Sequence, residues 1–370
     1  MHIKPFRIEH YYARHEFTAK FMLSSSDAQS RALGELLALE PGARQALDEH
    51  WLGYTEAPGA PYLRQAITTI YETQALEDVL VVSSAEEGIF VAYHALVGAG
   101  DHVIVETPCY ESGLELARST GAEVSVWERH FEDGWAHDLV ALEGLMRSNT
   151  KLIYINTPSN PTGINMTPQT FASVMALAKE RGIMVLCDEV YRELEHDPST
   201  RLPAACDVFD NAISLGSMSK AYGLPGLRLG WLATRNKTMI EKCLHFKYYT
   251  TICSSAPSEF LTALALRQRK PILARNLEIV RKNLPLMQDF LERHADLFSW
   301  VKPDASPIGF VKVDISGDVT TFCEEIVRET GVLLLPGSVY DQPRHVRVGY
   351  GRSNMPEALS VLEDYLKRRD

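Results

Sequence analysis

The stretch Ser214-Leu-Gly-Ser-Met-Ser-Lys-Ala-Tyr-Gly-Leu-Pro-Gly-Leu-Arg-Leu-Gly-Trp231 places one lysine, Lys220, between two short apolar runs. Its glycines, proline and serines favour an irregular loop that a bulky ligand can approach closely. A lysine removed from water in such a loop loses its proton and becomes a nucleophile. Ser217 and Arg228 add a hydroxyl and a fixed positive charge, which together suit a phosphate group. The stretch therefore predicts a reactive amine beside a phosphate site.

The same residues form the pattern Ser-x-Ser-Lys-x-x-Gly-x-x-Gly-x-Arg-x-Gly. This pattern resembles the active-site lysine segment of the class I/II aminotransferases, the fold-type I enzymes that use pyridoxal 5'-phosphate. The resemblance implies that Lys220 is the catalytic residue and holds the cofactor as a Schiff base. It also implies that Ser217 and Arg228 bind the cofactor phosphate.

From residue 79 onward, short apolar runs alternate with amphipathic stretches. The runs are predicted to be strands at residues 79–82, 102–105, 123–127, 152–156, 183–187, 211–215 and 229–233. Near-continuous apolar strands that alternate with helices are typical of a mostly parallel sheet covered on both faces. The predicted fold class is α/β, with a large domain built on a seven-stranded, mostly parallel sheet. Ligands bind such sheets beyond the carboxyl ends of the strands.

The chain length predicts more than one domain, because 370 residues exceed the usual size of a single domain. A change of composition at residues 300–310 indicates entry into a smaller α+β domain, with predicted strands at residues 311–315, 332–335 and 346–348. We expect an N-terminal arm with part of the small domain at residues 1–48, a large cofactor-binding domain at residues 49–290 and the C-terminal small domain at residues 291–370.

Ser84, Ala85 and Glu86 open a helix directly after the first predicted strand. The N-terminus of a helix presents free N–H groups and the positive end of its dipole, which suits a phosphate. The resembling family places its phosphate cradle here, commonly with Gly-Ala or Gly-Thr. A carboxylate repels a phosphate, so we expect Glu86 to turn its side chain away or to contribute only its backbone.

Four residues that follow later strands match the family's contacts to the pyridine ring of the cofactor. Tyr110 matches the aromatic side chain that stacks on the ring. Asn160, in an Asn-Pro-Thr-Gly turn, and Tyr191 match the residues that hydrogen-bond the 3'-oxygen. Asp188 ends a buried strand, where an unpaired carboxylate is costly. The protonated pyridine nitrogen is its expected partner, which makes the ring withdraw electrons.

Two further residues match the family at the substrate and subunit boundaries. Tyr54 lies in a segment similar to one whose tyrosine reaches the cofactor phosphate of the neighbouring subunit, which implies a homodimer with shared active sites. Arg347 matches the arginine that pairs with the substrate α-carboxylate, a bidentate contact that suits a guanidinium. Arg344 and Arg352, on either side, are predicted to be solvated.

Composition and charge exclude several classes of partner. Apolar content of 45% and charged content of 23% are typical of a globular protein, and a net charge of −11 argues against nucleic acid or an anionic membrane as partner. The six cysteines form no Cys-x-x-Cys pair and suggest free thiols in a reducing compartment. No signal-peptide pattern or membrane-spanning run is visible, so we expect a cytoplasmic protein without a metal site.

The reaction type stays open at this point. The expected substrate is a free α-amino acid with a 2-oxo acid as amino acceptor, and transamination is the leading reaction. The Ser24-Ser-Ser26 segment, the Lys220–Arg228 stretch and residues 335–340 also resemble the capreomycidine synthase branch, which eliminates from and cyclises a hydroxylated arginine, as enduracididine synthase-like enzymes are expected to do.

Two remote alternatives lie outside this chemistry. Ser217-Met-Ser-Lys220 fits the Ser-x-x-Lys pattern of penicillin-recognising serine acyl hydrolases. A non-catalytic, cofactor-binding module of the aminotransferase-like kind found in some transcription regulators is the other. Absorbance of the bound cofactor distinguishes a pyridoxal-phosphate protein from the hydrolase. Turnover of an amino acid distinguishes an enzyme from the non-catalytic module.

Overall fold

Seven strands form the larger sheet of the computed structural model, which describes residues 2–369: β1 (Val79–Val82), β2 (His102–Thr107), β3 (Glu123–Glu128), β4 (Thr150–Asn156), β5 (Met184–Asp188), β6 (Ala212–Ser217) and β7 (Gly230–Ala233). Their order across the sheet is β1-β7-β6-β5-β4-β2-β3. Strand β7 runs antiparallel to β1 and β6, and the other neighbours are parallel. The predicted α/β class and the predicted mostly parallel seven-stranded sheet are confirmed.

Helices cover this sheet and surround the C-terminal part of the chain. They are α1 (Arg7–His15), α2 (Leu33–Leu37), α3 (Ala43–Asp48), α4 (Pro61–Thr68), α5 (Ala85–Leu96), α6 (Glu111–Ser119), α7 (Leu139–Leu145), α8 (Pro168–Arg181), α9 (Ala205–Val208), α10 (Lys237–Lys247), α11 (Ala256–Arg267), α12 (Arg269–Arg293), α13 (Val319–Thr330) and α14 (Met355–Arg369). Among residues 2–369, no helix is both long enough and apolar enough to span a bilayer.

Strand β1 is apolar and buried at every position. Successive side chains of a strand point to opposite faces of the sheet. Val79 and Val81 pack in a cluster with α4 and α11, whereas Leu80 and Val82 pack in a second cluster with α5 and α10. Because both faces are buried, neither set of positions is left for polar residues.

A smaller antiparallel sheet lies in the C-terminal part of the chain. Its strands are β8 (Phe298–Trp300), β9 (Ile308–Val313), β10 (Leu335–Pro336) and β11 (His345–Gly349), in the order β10-β11-β9-β8. The predicted strand at residues 332–335 is mostly wrong, because Val332 bridges to Phe21 of the N-terminal segment and only the last residue of the run belongs to β10. Ile8 and Phe21 share the apolar core of this sheet.

The carboxyl ends of the parallel strands meet at one edge of the larger sheet. Asn156 lies opposite Asp188 at the ends of β4 and β5, and β6 ends next to them at Ser217. Because β7 is antiparallel, its first residue, Gly230, pairs with Ser217. This edge is where the sequence motifs come together.

Candidate active site

Lys220 lies in the loop that follows β6. Its Nζ donates to Ser26 Oγ at 2.8 Å, and its backbone carbonyl accepts from Ala28 N at 3.3 Å. Gly223 has φ of +66°, and a Cβ there would lie 2.9 Å from the carbonyl oxygen of Gln29, so glycine permits the close approach of the two segments. Burial lowers the pKa of Lys220, against the opposing charge of Asp27. The neutral, nucleophilic amine is thereby favoured.

The loop that contains Lys220 meets the N-terminus of α5. A Cβ on Gly230 would lie 2.9 Å from the carbonyl carbon of Ser84 and 3.0 Å from Ala85 N, so only glycine lets β7 start this close to the helix. Ser84 caps α5 by accepting from Glu87 N at 3.3 Å. The helix end, with its free N–H groups, therefore lies beside the end of β6, as a phosphate cradle requires.

Ser217 and Arg228 lie at the two ends of this loop. Ser217 Oγ donates to Ser219 Oγ at 3.0 Å and accepts from Ser219 N at 3.1 Å, whereas the amine of Lys220 bonds to Ser26. The Ser-x-x-Lys pair of a serine hydrolase is not formed. Arg228 is exposed, with φ of +48°, and its guanidinium donates to Pro225 O at 2.9 Å.

Asp188 is the last residue of β5 and is buried. Burial raises the pKa of its carboxyl group to about 6, although Val190 N and Tyr154 Oη each donate to it at 3.2 Å. It forms no ion pair within residues 2–369. A buried carboxylate without an ion-pair partner is stabilised by a cationic ligand. The protonated nitrogen of a pyridine ring is such a ligand.

Tyr191 and Asn160 supply hydrogen-bond donors next to this carboxylate. Tyr191 Oη is buried and has no hydrogen-bond partner among the residues that the structure describes. The Oδ1 atom of Asn160 accepts from Arg347 Nη1 and from Tyr340 Oη, each at 3.1 Å. This leaves the amide N–H groups of Asn160 for an outside acceptor. Two donors near a carboxylate that needs a cation fit the 3'-oxygen and ring nitrogen of pyridoxal 5'-phosphate.

Arg347 lies on β11 and is almost wholly buried, at 1% exposed. Besides Asn160, its guanidinium donates to Ser24 O at 2.9 Å, to Tyr340 Oη at 2.5 Å and to Tyr12 Oη at 2.6 Å. All of these partners are neutral, so no carboxylate among residues 2–369 forms an ion pair with this guanidinium. Sequence reasoning identified Arg347 but missed Tyr12 and Tyr340, which come from distant segments.

A buried ion pair that the sequence did not reveal fixes the turn with Asn160. Arg129 Nε lies 2.9 Å from Glu106 Oε1, and both side chains are about 1% exposed. Glu106 accepts from Asn156 N at 3.0 Å, and Arg129 donates to Ser159 Oγ at 2.6 Å. The pair therefore holds the end of β4 and the turn that follows it.

Glu86 and Tyr110 lie near each other and near Glu9 of α1. Tyr110 Oη donates to Glu9 Oε1 at 2.5 Å. The side chain of Glu86 is half-buried, and burial raises the pKa of its carboxyl group to about 7, with Glu9 and Asp188 adding to that rise and Arg228 opposing it. The expectation that Glu86 turns its side chain away or contributes only its backbone stays a prediction.

Tyr54 lies apart from the other predicted site residues, and Arg352 is paired with a carboxylate rather than solvated. Tyr54 is 89% exposed and does not join the other site residues within this chain. Arg352, predicted to be solvated, forms a half-buried ion pair with Asp27, at 2.9 and 3.0 Å to the two carboxylate oxygens. The reason is that the segment with Asp27 packs against Gly351, where a Cβ would lie 2.7 Å from Asp27 O, and this brings the Asp27 carboxylate to the adjacent Arg352. Arg344 is exposed, as predicted.

Comparison with known proteins places this arrangement in a family. The sequence pattern described as "Aminotransferase class I and II" matches residues 26–362. Capreomycidine synthase of Streptomyces vinaceus is 28% identical over 363 residues, which cover 97% of this chain and 93% of that protein.

Two solved structures have the same fold over the whole chain. A PLP-dependent aminotransferase from Streptococcus suis superimposes with a TM-score of 0.94 at 31% identity, covering 100% of this chain and 99% of that chain. The PLP-dependent cyclase OrfR gives a TM-score of 0.91 at 25% identity, with the same coverage. Since the family match spans most of the sequence and the site residues fit the cofactor, the chain belongs to the class I and II aminotransferase family and is a pyridoxal-5'-phosphate-dependent enzyme.

Proposed function

We propose that this protein is an aminotransferase that acts on a free α-amino acid through Lys220. The observation that carries the proposal is Arg347, a buried guanidinium at the site whose hydrogen-bond partners are all neutral. A buried charge is costly unless an opposite charge pairs with it. The α-carboxylate of an amino acid supplies that charge with the planar geometry that a guanidinium binds best.

The remaining residues have distinct tasks in this proposal. Pyridoxal 5'-phosphate, when bound, supplies a ring that withdraws electrons from the substrate Cα. Asp188 holds the proton on the ring nitrogen. Lys220 Nζ takes the proton from Cα and later delivers it to the product, as base and then acid. Burial lowers the pKa of Lys220, which favours the neutral amine over the charged form.

The phosphate is assigned to the end of β6 and the start of α5. Ser217 and Arg228 supply a hydroxyl and a positive charge, and Ser84, Ala85 and Glu86 supply backbone N–H groups. The support is the close packing at Gly230, which brings these elements together. Arg228 is exposed, so its guanidinium is free to turn from Pro225 O towards an anion.

Elimination and cyclisation of a hydroxylated arginine is the second candidate. It is favoured by the similarity to capreomycidine synthase over 97% of this chain. The same lysine would remove the Cα proton, and the reaction would then diverge because a hydroxyl group leaves from Cβ. The two reactions differ in product: transamination gives a 2-oxo acid, whereas elimination and ring closure keep the nitrogen in the product.

A panel of free amino acids, hydroxylated arginines included, tests both candidates. Purified holoenzyme is incubated with each amino acid and a 2-oxo acid acceptor, and the 2-oxo acid product, ammonia and cyclised product are measured. We expect a 2-oxo acid product that depends on the acceptor and disappears in Lys220→Ala. A cyclised product formed without an acceptor would replace the first candidate by the second. Absence of every product with cofactor bound would overturn both.

We also propose that two copies of the chain form a homodimer with shared active sites. An apolar surface made of Trp51, Leu52, Tyr54 and Tyr249 is 75–89% exposed. Thr55 Oγ1 donates to Ser254 O at 3.3 Å, which holds the segment with Tyr54 beside the segment that follows Tyr249. Contiguous exposed apolar residues of this size are typical of an interface.

A cytoplasmic location is part of the same proposal. Five of the six cysteines are buried as free thiols and one is half-buried, with no disulfide among residues 2–369. Free thiols persist where glutathione and thioredoxin keep them reduced. Fractionation of the native cell, followed by detection of the protein with an antibody, tests this location.

A further inference from the structure

Tyr154 of β4 and Asp188 of β5 lie on the same face of the larger sheet. In the register of these two strands, Tyr154 is opposite Leu186 and Asn156 is opposite Asp188. Because alternate residues of a strand share a face, Tyr154 is the diagonal neighbour of Asp188. Its side chain is fully buried, and its hydroxyl donates to Asp188 Oδ2 at 3.2 Å.

The Tyr154 hydroxyl is the one side-chain donor to the Asp188 carboxylate within residues 2–369, and Val190 N donates to the other carboxylate oxygen at 3.2 Å. The main chain of Asp188 is held separately. Its carbonyl oxygen accepts from Asn156 Nδ2 at 2.9 Å and from Thr157 N at 3.1 Å. The hydroxyl of Tyr154 therefore acts on the carboxylate and not on the end of the strand.

The packing around Tyr154 separates its hydroxyl from its ring. A Cβ on Gly113 of α6 would lie 2.6 Å from Tyr154 Cε1, so the glycine leaves room for the ring. Tyr93 of α5 is also fully buried, and its ring centroid lies 6.2 Å from that of Tyr154. The Tyr93 hydroxyl, however, donates to Gly113 O at 2.8 Å. Two adjacent buried tyrosines thus differ in their acceptors, a backbone carbonyl for one and Asp188 for the other.

The charged form of Asp188 depends on its hydrogen-bond donors. Burial raises the pKa of Asp188 to about 6, and Val190 N, Tyr154 Oη and then the charge of Lys220 oppose that rise. Burial raises the pKa of Tyr154 itself, so its hydroxyl keeps its proton and remains a donor. The titratable groups that interact with Asp188, besides Tyr154, are Lys220 after β6, Glu86 of α5, Cys109 after β2, Cys187 of β5 and Tyr191 after β5. Lys220 is the only cation in this set.

We propose that Tyr154 is a positioning residue, whose hydroxyl keeps the Asp188 carboxylate charged and directed so that the shared proton stays on the ring nitrogen of the cofactor. The inference rests on the proposed function, in which Asp188 holds that proton. A hydrogen bond to a carboxylate favours its charged form. Without the hydroxyl, the proton moves from the ring nitrogen towards the carboxylate oxygen, and the ring withdraws fewer electrons from the substrate Cα.

The position of this proton can be measured in the holoenzyme. The protein is loaded with pyridoxal 5'-phosphate that carries ¹⁵N in the ring, and the ¹⁵N NMR shift reports whether the nitrogen is protonated. Asp188→Asn cannot accept the proton as a carboxylate does and gives the reference signal of an unprotonated ring. In Tyr154→Phe, the ratio of protonated to unprotonated ring should fall roughly ten- to a hundredfold, because a hydrogen bond to a charged group is lost. Its signal should move towards that of Asp188→Asn.

Tyr93→Phe is the matched control, because it removes the hydroxyl of the neighbouring buried ring without touching Asp188. We expect it to keep the wild-type signal, and circular dichroism checks that all variants are folded. A wild-type signal in Tyr154→Phe, or an equal shift in Tyr93→Phe, would overturn the role of the Tyr154 hydroxyl while the assignment of Asp188 stands. If Asp188→Asn itself keeps the wild-type signal, the proposed role of Asp188 fails, and this inference fails with it.

Discussion

Lys220 Nζ and Ser26 Oγ are hydrogen-bonded at 2.8 Å, although 194 residues separate them in the sequence. Two residues before Ser26, the carbonyl oxygen of Ser24 accepts from the guanidinium of Arg347. One short segment therefore contacts both the proposed nucleophile and the proposed carboxylate site. A shift of this segment would change the distance between the two groups, which must be correct for the Cα proton to reach Lys220.

Replacing Lys220 with alanine should abolish covalent attachment of the cofactor and leave the fold intact. Borohydride reduction of the holoenzyme, followed by peptide mapping, should place the cofactor label on Lys220 in wild-type protein. The variant should carry no label. Circular dichroism checks that the fold is retained.

Lys247 offers the matched control for this experiment. It is the other lysine of residues 2–369 whose pKa is lowered by burial, but its Nζ donates to Ala57 O and not to the segment with Ser26. Lys247→Met should therefore keep the label on Lys220. Label found at Lys247, or at any other lysine, would refute the assignment of the nucleophile.

Replacing Arg347 with methionine should weaken binding of the amino acid and leave the cofactor bound. A lost charge-assisted contact to a carboxylate costs on the order of 2–4 kcal/mol, so Kd should rise by roughly thirty- to a thousandfold. Absorbance titrations measure the amino acid, and equilibrium dialysis measures pyridoxal 5'-phosphate.

Arg344 provides the control for Arg347, since it lies one residue before β11 and its guanidinium is exposed. Arg344→Met should leave both affinities close to those of the wild type. If Arg347→Met instead weakens cofactor binding and spares the amino acid, Arg347 belongs to the phosphate site and the role of Arg228 must be reassigned.

We expect the free energy of unfolding to fall in mild acid because His345 is buried in its neutral form. Its ring stacks on Phe310 at 4.8 Å and packs near Trp135, and both ring nitrogens lack hydrogen-bond partners among residues 2–369. Burial, followed by the charge of Lys312, lowers its pKa from 6.5 to about 4. Between these values the unfolded chain binds a proton that the folded chain does not, so the free energy of unfolding falls as pH falls.

The loss in free energy of unfolding that comes from His345 should reach up to about 3 kcal/mol at pH values below its folded-state pKa. Denaturant unfolding at several pH values measures it, and His345→Phe provides the comparison because it keeps an aromatic ring without a titratable group. The variant should lose less stability than wild-type protein when the pH is lowered through this window. Parallel losses in the two proteins would show that His345 is not responsible.

The larger sheet could be predicted because its strands are short, apolar and buried on both faces. The smaller sheet could be predicted only in part. Residues 332–334 are as apolar as a strand, but Leu333 N donates to Phe21 O at 2.8 Å, so this run pairs with the N-terminal segment instead. A local pattern shows that a run is buried, but it does not show which distant segment covers it.

The same limit applies to the site. Lys220, Asp188 and Arg347 stand in long motifs, so the sequence alone identified them. Tyr12 contacts Arg347 across 335 residues, and it lies in an N-terminal stretch whose aromatic residues have no distinctive spacing. Arg352 was predicted to be solvated because its partner, Asp27, is 325 residues away. Contacts of this kind depend on the packing of whole segments.

Complementation between two impaired variants tests the homodimer with shared sites. If Tyr54 reaches the cofactor phosphate of the neighbouring subunit, Tyr54→Phe should weaken cofactor binding roughly tenfold or more, because one hydrogen bond to a charged group is lost. Lys220→Ala should be inactive. A mixed dimer of these two chains contains one site in which both native residues meet, so mixing should restore about a quarter of wild-type activity per subunit when pairing is random.

The control keeps both substitutions in one chain. A Tyr54→Phe/Lys220→Ala chain mixed with Tyr54→Phe offers no site with a native tyrosine opposite a native lysine, and its activity should not rise above that of Tyr54→Phe alone. Subunit exchange is verified by mass spectrometry of differently tagged chains. Analytical ultracentrifugation at the assay concentration measures the assembly state. A monomeric mass for active protein would refute the proposal, and so would exchange without recovery, because Tyr54 would then act within its own chain or not at all.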